Sequence, residues 1–134
     1  MSVTHVVVAA VLYRDGQVLL CHRRPELEWY PDVWDLPGGH VDDGETSAEA
    51  LVRELHEELG VQISPPRWDA VFDAAIGDDT HLTVWAIDEW SGDVTNRAPE
   101  EHDRLGWFQQ SELATLTLAD PAILELCNGI LQDR

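Results

Sequence analysis

Three glutamates, Glu54, Glu57 and Glu58, lie within five residues of one another, with Arg53 immediately before the first. On a helix such like charges repel by a few tenths of a kcal/mol per pair. Close-set carboxylates also raise one another's pKa unless a cation joins them. Mg²⁺ and Mn²⁺ take oxygen ligands and bridge carboxylates to substrate phosphates. The residue types therefore point to phosphate chemistry assisted by a hard divalent ion. Arg53 stands four residues before Glu57 and is placed to pair with it. A solvated acidic face is the competing reading, and the stretch ahead of the cluster weighs against it. "PDVWDLPGGHVDDGE" concentrates Pro, Trp and Gly where a plain surface turn needs little of any of them.

The elements that must position these groups can be read from pattern. Thr46 with Glu49 three residues on fits a capping box, and Gly60 fits the residue just past a helix end, so the spacing predicts a helix to Leu59. On that helix Ala48, Leu51, Val52, Leu55 and Leu59 form an apolar stripe for packing on a sheet. The three glutamates are expected on a separate stripe, about 120° away. Val3 to Tyr13 reads as a buried strand, Asp15-Gly16 as a hairpin turn and Gln17 to His22 as the returning strand. Trp34 to Leu36 reads as extended, with Pro37-Gly38-Gly39 as a break and His40 to Asp42 as a short strand. Trp68 to Ala75, His81 to Trp90 and Leu105 to Phe108 are further strands, with a polar loop from Ser91 to His102. Ala119 to Leu131 reads as a last amphipathic helix, with Pro121 in its first turn. This order implies an α/β fold with a mixed sheet and a helix on each face.

Composition bounds the rest. The 134 residues fit one domain, 1–134, with one proper core. The formal net charge of −18 argues against binding DNA or RNA polymers. It also makes a cation necessary for binding an anionic small molecule. Cys21 and Cys127 form neither a metal-spaced pair nor a disulfide framework, and are expected as buried small hydrophobes in a reduced, cytoplasmic compartment. No signal peptide or membrane span is expected, because "VTHVVVAAVLY" is apolar but short.

The stretch from Gly39 to Val61 resembles the signature of the Nudix hydrolases. That pattern is Gly, five residues, Glu, seven residues, Arg-Glu, an aliphatic, any residue, Glu-Glu, any residue, Gly, an aliphatic. Gly39, Glu45, Arg53-Glu54-Leu55, Glu57-Glu58, Gly60 and Val61 fill every fixed position. At average residue frequencies a chance match is on the order of one in ten million. The resemblance implies an α/β/α sandwich in which this box forms a loop, a helix and a loop. It implies hydrolysis of a nucleoside diphosphate linked to another group. Glu54, Glu57 and Glu58 would hold Mg²⁺, with Mn²⁺ able to substitute, and the carbonyl of Gly38 or Gly39 is a further ligand candidate. Arg53 would orient a glutamate, and Glu45 would support the loop. The base that takes the proton from water varies in this family. Here the candidates are Glu57 and Glu58 in the helix and Glu100 and Glu101 in "APEEHDRLGWF", with Glu101 the choice on that loop and His102 a further candidate that a surface position would explain equally.

The segment from "CHRRP" to "WDLPGG" resembles the MutT-like branch, which acts on nucleoside triphosphates. Strand alternation would send Arg23 and Arg24 to opposite sides, and the analogy favours Arg24 for a phosphate. By the same analogy Asp120 would read the base edge, although its place before Pro121 also suits a helix cap. Trp34 and Leu36 are candidates to pack on the base. The expected activity is a MutT-like pyrophosphohydrolase giving nucleoside monophosphate and pyrophosphate. The expected partner is a small-molecule nucleotide, and the chain is expected as a monomer or homodimer. The alternatives are an ADP-ribose or nucleotide-sugar pyrophosphatase, or a nucleotide sensor without turnover. The intact glutamates and the lack of a DNA-binding module weigh against the sensor.

Overall fold

A computed structural model describes residues 5–132. Ten elements succeed one another: β1 (His5–Arg14), β2 (Gln17–Arg23), β3 (Trp34–Asp35), β4 (Gly38–His40), α1 (Ser47–Leu59), β5 (Phe72–Ile76), β6 (Thr80–Ile87), β7 (His102–Gln109), α2 (Gln110–Leu113) and α3 (Pro121–Gln132). The sheet runs β3-β2-β1-β6-β5, with β4 also on β1 and β7 also on β2. It is mixed, since β1 pairs parallel with β6 over Leu12↔Ile87 to His5↔Thr80, while the other pairings are antiparallel. The start of the first expected strand, Val3 and Thr4, lies outside the described residues.

The hairpin at Asp15-Gly16 has both residues at positive φ, 55° and 77°, the twist that two-residue hairpins favour. Beyond Tyr13↔Val18 the two strands part. The edge of β1 that β2 leaves is taken by β4, through Val7↔His40, Val8↔Gly39 and Ala9↔Gly38. The opening between the two halves of the sheet is therefore lined by the glycine pair. This corrects the expectation of a break at Pro37-Gly38-Gly39. The glycines form ladder pairs because nothing bulkier fits there: a Cβ on Gly38 would sit 2.0 Å from the Val8 carbonyl oxygen.

Alternation along β1 builds two cores. Val8, Ala10 and Leu12 face α1, packing with Leu51, Leu55, Leu59, Leu19 and Trp85. Ala9, Val11 and Tyr13 face the other way, toward Leu113 of α2 and Ile123, Cys127 and Ile130 of α3. The result is the expected α/β/α sandwich, and both cysteines are buried and free. The capping box forms as expected. Glu49 N–H donates to Thr46 Oγ1 at 3.1 Å, and Thr46 N–H donates to Glu49 Oε1 at 2.8 Å. Gly60 closes α1 at φ 74°.

Other boundaries move. The fifth strand starts at Phe72 rather than Trp68, because Trp68 exchanges indole and carbonyl bonds with Ala86 and Trp85 instead of ladder bonds. The sixth ends at Ile87, and the seventh begins at His102, three residues before Leu105. The one-turn α2, unforeseen in the sequence, inserts Leu113 into the second core. No helix among the described residues is long and apolar enough to cross a membrane.

Candidate active site

The loop before α1 and the first face of the helix are tied together by Arg53. Its guanidinium donates to Glu45 at 2.8 and 3.1 Å, to Glu54 at 2.8 Å, to Glu57 at 3.2 Å and to the His40 carbonyl at 2.9 Å. The donors of this side chain form a planar fork, which suits a site shared by several carboxylates. The Glu45 hydrogen bond raises the Arg53 pKa further above its usual range. The same bond, with one from the Asp42 N–H, holds Glu45 below the ordinary carboxylate range. Arg53 thus orients two glutamates, and Glu45 secures the loop, the roles that the resemblance implied.

Glu58 departs from the expected separation of the glutamates from the apolar stripe. It is only 5% exposed. The reason is elementary: seven residues after Leu51, it lies about 20° from that leucine on the helical wheel. Its carboxylate points into the opening of the sheet, where the Gly38 N–H donates to it at 3.3 Å. Burial, a hydrogen bond with Glu54, and the charges of Glu54 and Glu101 push its pKa up to about 9. Glu54 is itself mostly buried, its side chain 14% exposed, and packs over Gly39. A Cβ on Gly39 would lie 2.5 Å from the Glu54 carboxyl carbon. Gly39→Ala is therefore expected to displace Glu54 and lower kcat by about tenfold to a hundredfold, the cost of a misplacement near 1 Å. Steady-state kinetics beside a melting curve checks this, with turnover falling while the melting transition is retained.

Opposite the helix, the loop before β7 brings Glu101 to the pair. Partial burial raises its pKa, Arg23 opposes that, and Glu100 and Glu54 add to it. Its backbone is braced by the Arg24 N–H, which donates to the Glu101 carbonyl at 3.0 Å. His102 is not the surface residue that sequence allowed. It is 4% exposed, and burial together with the Arg23 charge lowers its pKa to about 4, so it is neutral.

The Arg24 side chain donates to Glu26 at 3.2 Å and to the Pro99 carbonyl at 3.2 Å. Arg23 lies at the site, where its charge acts on Asp35, Glu101 and His102. Asp120 does cap α3, its Oδ1 accepting from the Ala122 N–H at 2.8 Å. Its charge also reaches Asp35. Asp35 is a site residue that sequence reading passed over. Burial raises its pKa, and its Oδ1 accepts from the Leu36 N–H at 2.8 Å. The available signal was its place beside Trp34 at the entry to Pro37-Gly38-Gly39. Trp34 itself is wedged edge-on between His22 and Phe108, at 5.0 and 4.8 Å, so it supports the wall of the site.

Glu54, Glu58 and Glu101 offer only oxygen donors, the set a hard divalent cation requires. The raised Glu58 pKa supplies the test of fit: burial beside Glu54 favours a proton on Glu58, in the place of the charge that a cation would bring. Among the described residues no three His, Cys, Asp or Glu side chains already converge on one point. Arg53 accounts for this by holding Glu57 and one side of Glu54. In donor chemistry the Glu54–Glu58 pair fits a hard divalent cation.

That proton has a thermodynamic signature. The folded protein holds it above the pH at which the unfolded chain releases it, so stability falls as pH rises through this window. His102 acts in the opposite sense only below its unfolded value near 6.5. From about pH 7 to about pH 9 Glu58 is expected to cost the metal-free protein about 1.4 kcal/mol per pH unit, and the raised thiols of Cys21 and Cys127 add to the loss toward pH 9. Saturating Mg²⁺ is expected to flatten this dependence, read from melting temperatures with and without EDTA.

The family model described as the NUDIX domain matches residues 3–127. The chain is 33% identical over 126 residues to a CTP pyrophosphohydrolase of Escherichia coli (strain K12), covering 93% of this chain and 90% of that protein. It is 35% identical over 116 residues to a putative 8-oxo-dGTP diphosphatase 2 of Mycobacterium tuberculosis (strain ATCC 25618 / H37Rv), covering 81% and 75%. The solved structure of a MutT Nudix hydrolase from Burkholderia pseudomallei superposes with a TM-score of 0.72 at 30% identity, covering 92% of this chain and 95% of that one. With the box in place as a loop, helix and loop around Glu54 and Glu58, this chain belongs to the Nudix family, as a hydrolase acting on nucleotides.

Proposed function

We propose that the chain is a Mg²⁺-dependent nucleoside triphosphate pyrophosphohydrolase of MutT-like type, releasing nucleoside monophosphate and pyrophosphate. The observation that carries this reading is the Glu54–Glu58 pair, buried in the sheet opening beside the Arg53 fork. Mn²⁺ would substitute for Mg²⁺ on the same oxygens. Glu54, Glu57 and Glu58 would hold the ion, with the Gly38 carbonyl a further ligand. Bound there, the ion would neutralise charge on the diphosphate and activate a water, and it would let a chain of net charge −18 bind an anion.

This chain's own residues supply the rest. The water oxygen forms a bond to phosphorus as one anhydride P–O bond breaks, with pyrophosphate as one product. The water's proton goes to a carboxylate. Glu101 suits that role because it faces Glu54 and Glu58 from the opposite loop without being tied by Arg53. Glu57 and Glu58 remain alternatives for the base when they are not holding the ion. Arg23 takes the phosphate-binding role through its place among Asp35, Glu101 and His102. Arg24 contributes by bracing the Glu101 loop. Asp35 and Asp120 lie together on the side of the site beside α3, where a base edge would be read by hydrogen bonds. The names of the similar proteins, a CTP pyrophosphohydrolase and a putative 8-oxo-dGTP diphosphatase, support the triphosphate class.

The test is phosphate release with Mg²⁺ over a panel of canonical and oxidised nucleoside triphosphates, ADP-ribose, nucleotide sugars and dinucleoside polyphosphates. Inorganic pyrophosphatase is added to half the wells. Triphosphate turnover that registers only with pyrophosphatase supports the proposal. Turnover of ADP-ribose or a sugar nucleotide alone overturns the substrate class, and nucleotide binding without any turnover overturns the enzyme reading.

A further inference from the structure

The mechanism leaves the buried His22 unused. His22, at the end of β2, is 4% exposed, and both of its ring nitrogens meet carboxylates. Nδ1 lies 2.7 Å from Asp103 Oδ1 on β7, and Nε2 lies 3.0 Å from Asp32 Oδ1 in the 24–33 loop. The ring thus bridges β7 to the 24–33 loop. The bond from His22 holds the Asp103 carboxyl below the usual carboxylate range, as expected of an ionised acceptor.

Asp32 is in an unusual state. It sits at φ 56°, a left-handed conformation that non-glycine residues rarely adopt, and Tyr30 two residues earlier does so at φ 51°. Such backbone persists when surrounding bonds over-determine it. Here those bonds are the Asp32 N–H to the Arg23 carbonyl at 3.2 Å, the Arg23 N–H to the Val33 carbonyl at 2.8 Å, and the His22 bond to the side chain. The loop so folded aims two carbonyls at the neighbouring arginine. Arg23 donates from a terminal nitrogen to the Trp29 carbonyl at 2.7 Å and from Nε to the Tyr30 carbonyl at 3.0 Å.

We propose that His22 is a positioning residue: by clamping Asp32 to Asp103, it fixes the Trp29 and Tyr30 carbonyls that hold the Arg23 guanidinium toward a substrate phosphate. The proposal rests on the nucleotide reading above for the phosphate, and on geometry alone for the clamp. Arginine side chains lose much rotamer entropy on binding an anion. An arginine whose Nε side is already tethered loses less, and its other terminal donors stay available. The clamp therefore acts on substrate affinity rather than on the chemical step.

The test uses Asp32, whose side chain is 73% exposed and whose removal leaves the core intact. The Arg23 Nε–H is tracked by ¹⁵N-resolved NMR, assigned with Arg23→Lys. Asp32→Ala is expected to speed exchange of that proton about tenfold, the effect of losing one charged hydrogen bond. It is expected to raise KM for the preferred triphosphate about tenfold while kcat stays within about twofold. Asp32→Asn is expected to restore both, since its amide still bonds His22 Nε2. Unchanged Nε–H exchange in Asp32→Ala overturns the clamp. Faster exchange with unchanged KM overturns the positioning role and leaves only a structural one. Should the wild type turn over no triphosphate, the substrate reading fails, while altered exchange in Asp32→Ala with rescue by Asn still supports the clamp.

Discussion

Glu58→Gln is expected to lower kcat by about a thousandfold or more while the protein stays folded. The substitution is nearly isosteric, and the Gln oxygen can still accept from the Gly38 N–H that now meets Glu58. Glu58 is flanked by the leucines of the first core, so shape matters here, and Gln preserves it. What Gln removes is the charge. In the metal-free protein that loss is nearly neutral, because Glu58 is already protonated at neutral pH by burial and by its bond with Glu54. Stability is therefore expected within about 1 kcal/mol of wild type. With a cation bound the loss is large, because an amide is a far poorer ligand for a hard ion than a carboxylate. Turnover and melting temperature, measured on one preparation, separate the two effects. Full activity of the variant at saturating Mg²⁺ would contradict the metal assignment.

Leu55→Asp is expected to have the opposite profile, destroying the fold rather than the chemistry. Leu55 is fully buried and belongs to the cluster of Val8, Ala10, Leu12, Leu51 and Leu59. Truncating such a leucine costs about 2–5 kcal/mol in lost contacts and cavity. A buried carboxylate without a partner adds roughly 3–5 kcal/mol. Together these approach the whole stability of a typical domain, about 5–15 kcal/mol. Circular dichroism and melting are expected to show a chain that is unfolded at 37 °C or aggregates on expression. Leu55→Met, which keeps volume and apolarity, is expected to cost less than about 1.5 kcal/mol.

The contrast between these neighbouring positions shows what sequence can and cannot carry. The α1 boundaries were legible because their signals are local: the Thr46–Glu49 box and Gly60 act within a few residues. The sandwich was legible because β1 alternates between its two cores and α1 carries a leucine stripe. Glu58 was grouped with Glu54 and Glu57 on a stripe apart from the leucines, although the wheel sets it near Leu51. Arg24 was favoured over Arg23 by analogy alone, because nothing in the local pattern marks how the chain runs past His22. The pairing of β2 with β7 shifts register between His22 and Arg23, which changes the phase of the residues beyond it. Asp35 gave only a weak local signal, its place beside Trp34 before the glycine pair, and His22 gave none. Asp103, which holds His22, is 81 positions away. The Pro37-Gly38-Gly39 stretch carried turn residues yet joins the sheet, because Val8 and Glu54 leave space only for glycine.

If hydrolysis depends on a divalent ion held by the Glu54–Glu58 pair, uptake of that ion must depend on the same carboxylates. Titration of wild type and Glu58→Gln with Mn²⁺, monitored by the electron paramagnetic resonance signal of the free ion, tests this without any assumption about substrate. Wild type is expected to take up Mn²⁺, more tightly as pH rises, because binding displaces the proton on Glu58. Glu58→Gln is expected to take up far less and to show little of that pH dependence. Equal uptake by the two proteins, with the same pH dependence, would contradict the assignment of the ion to this pair.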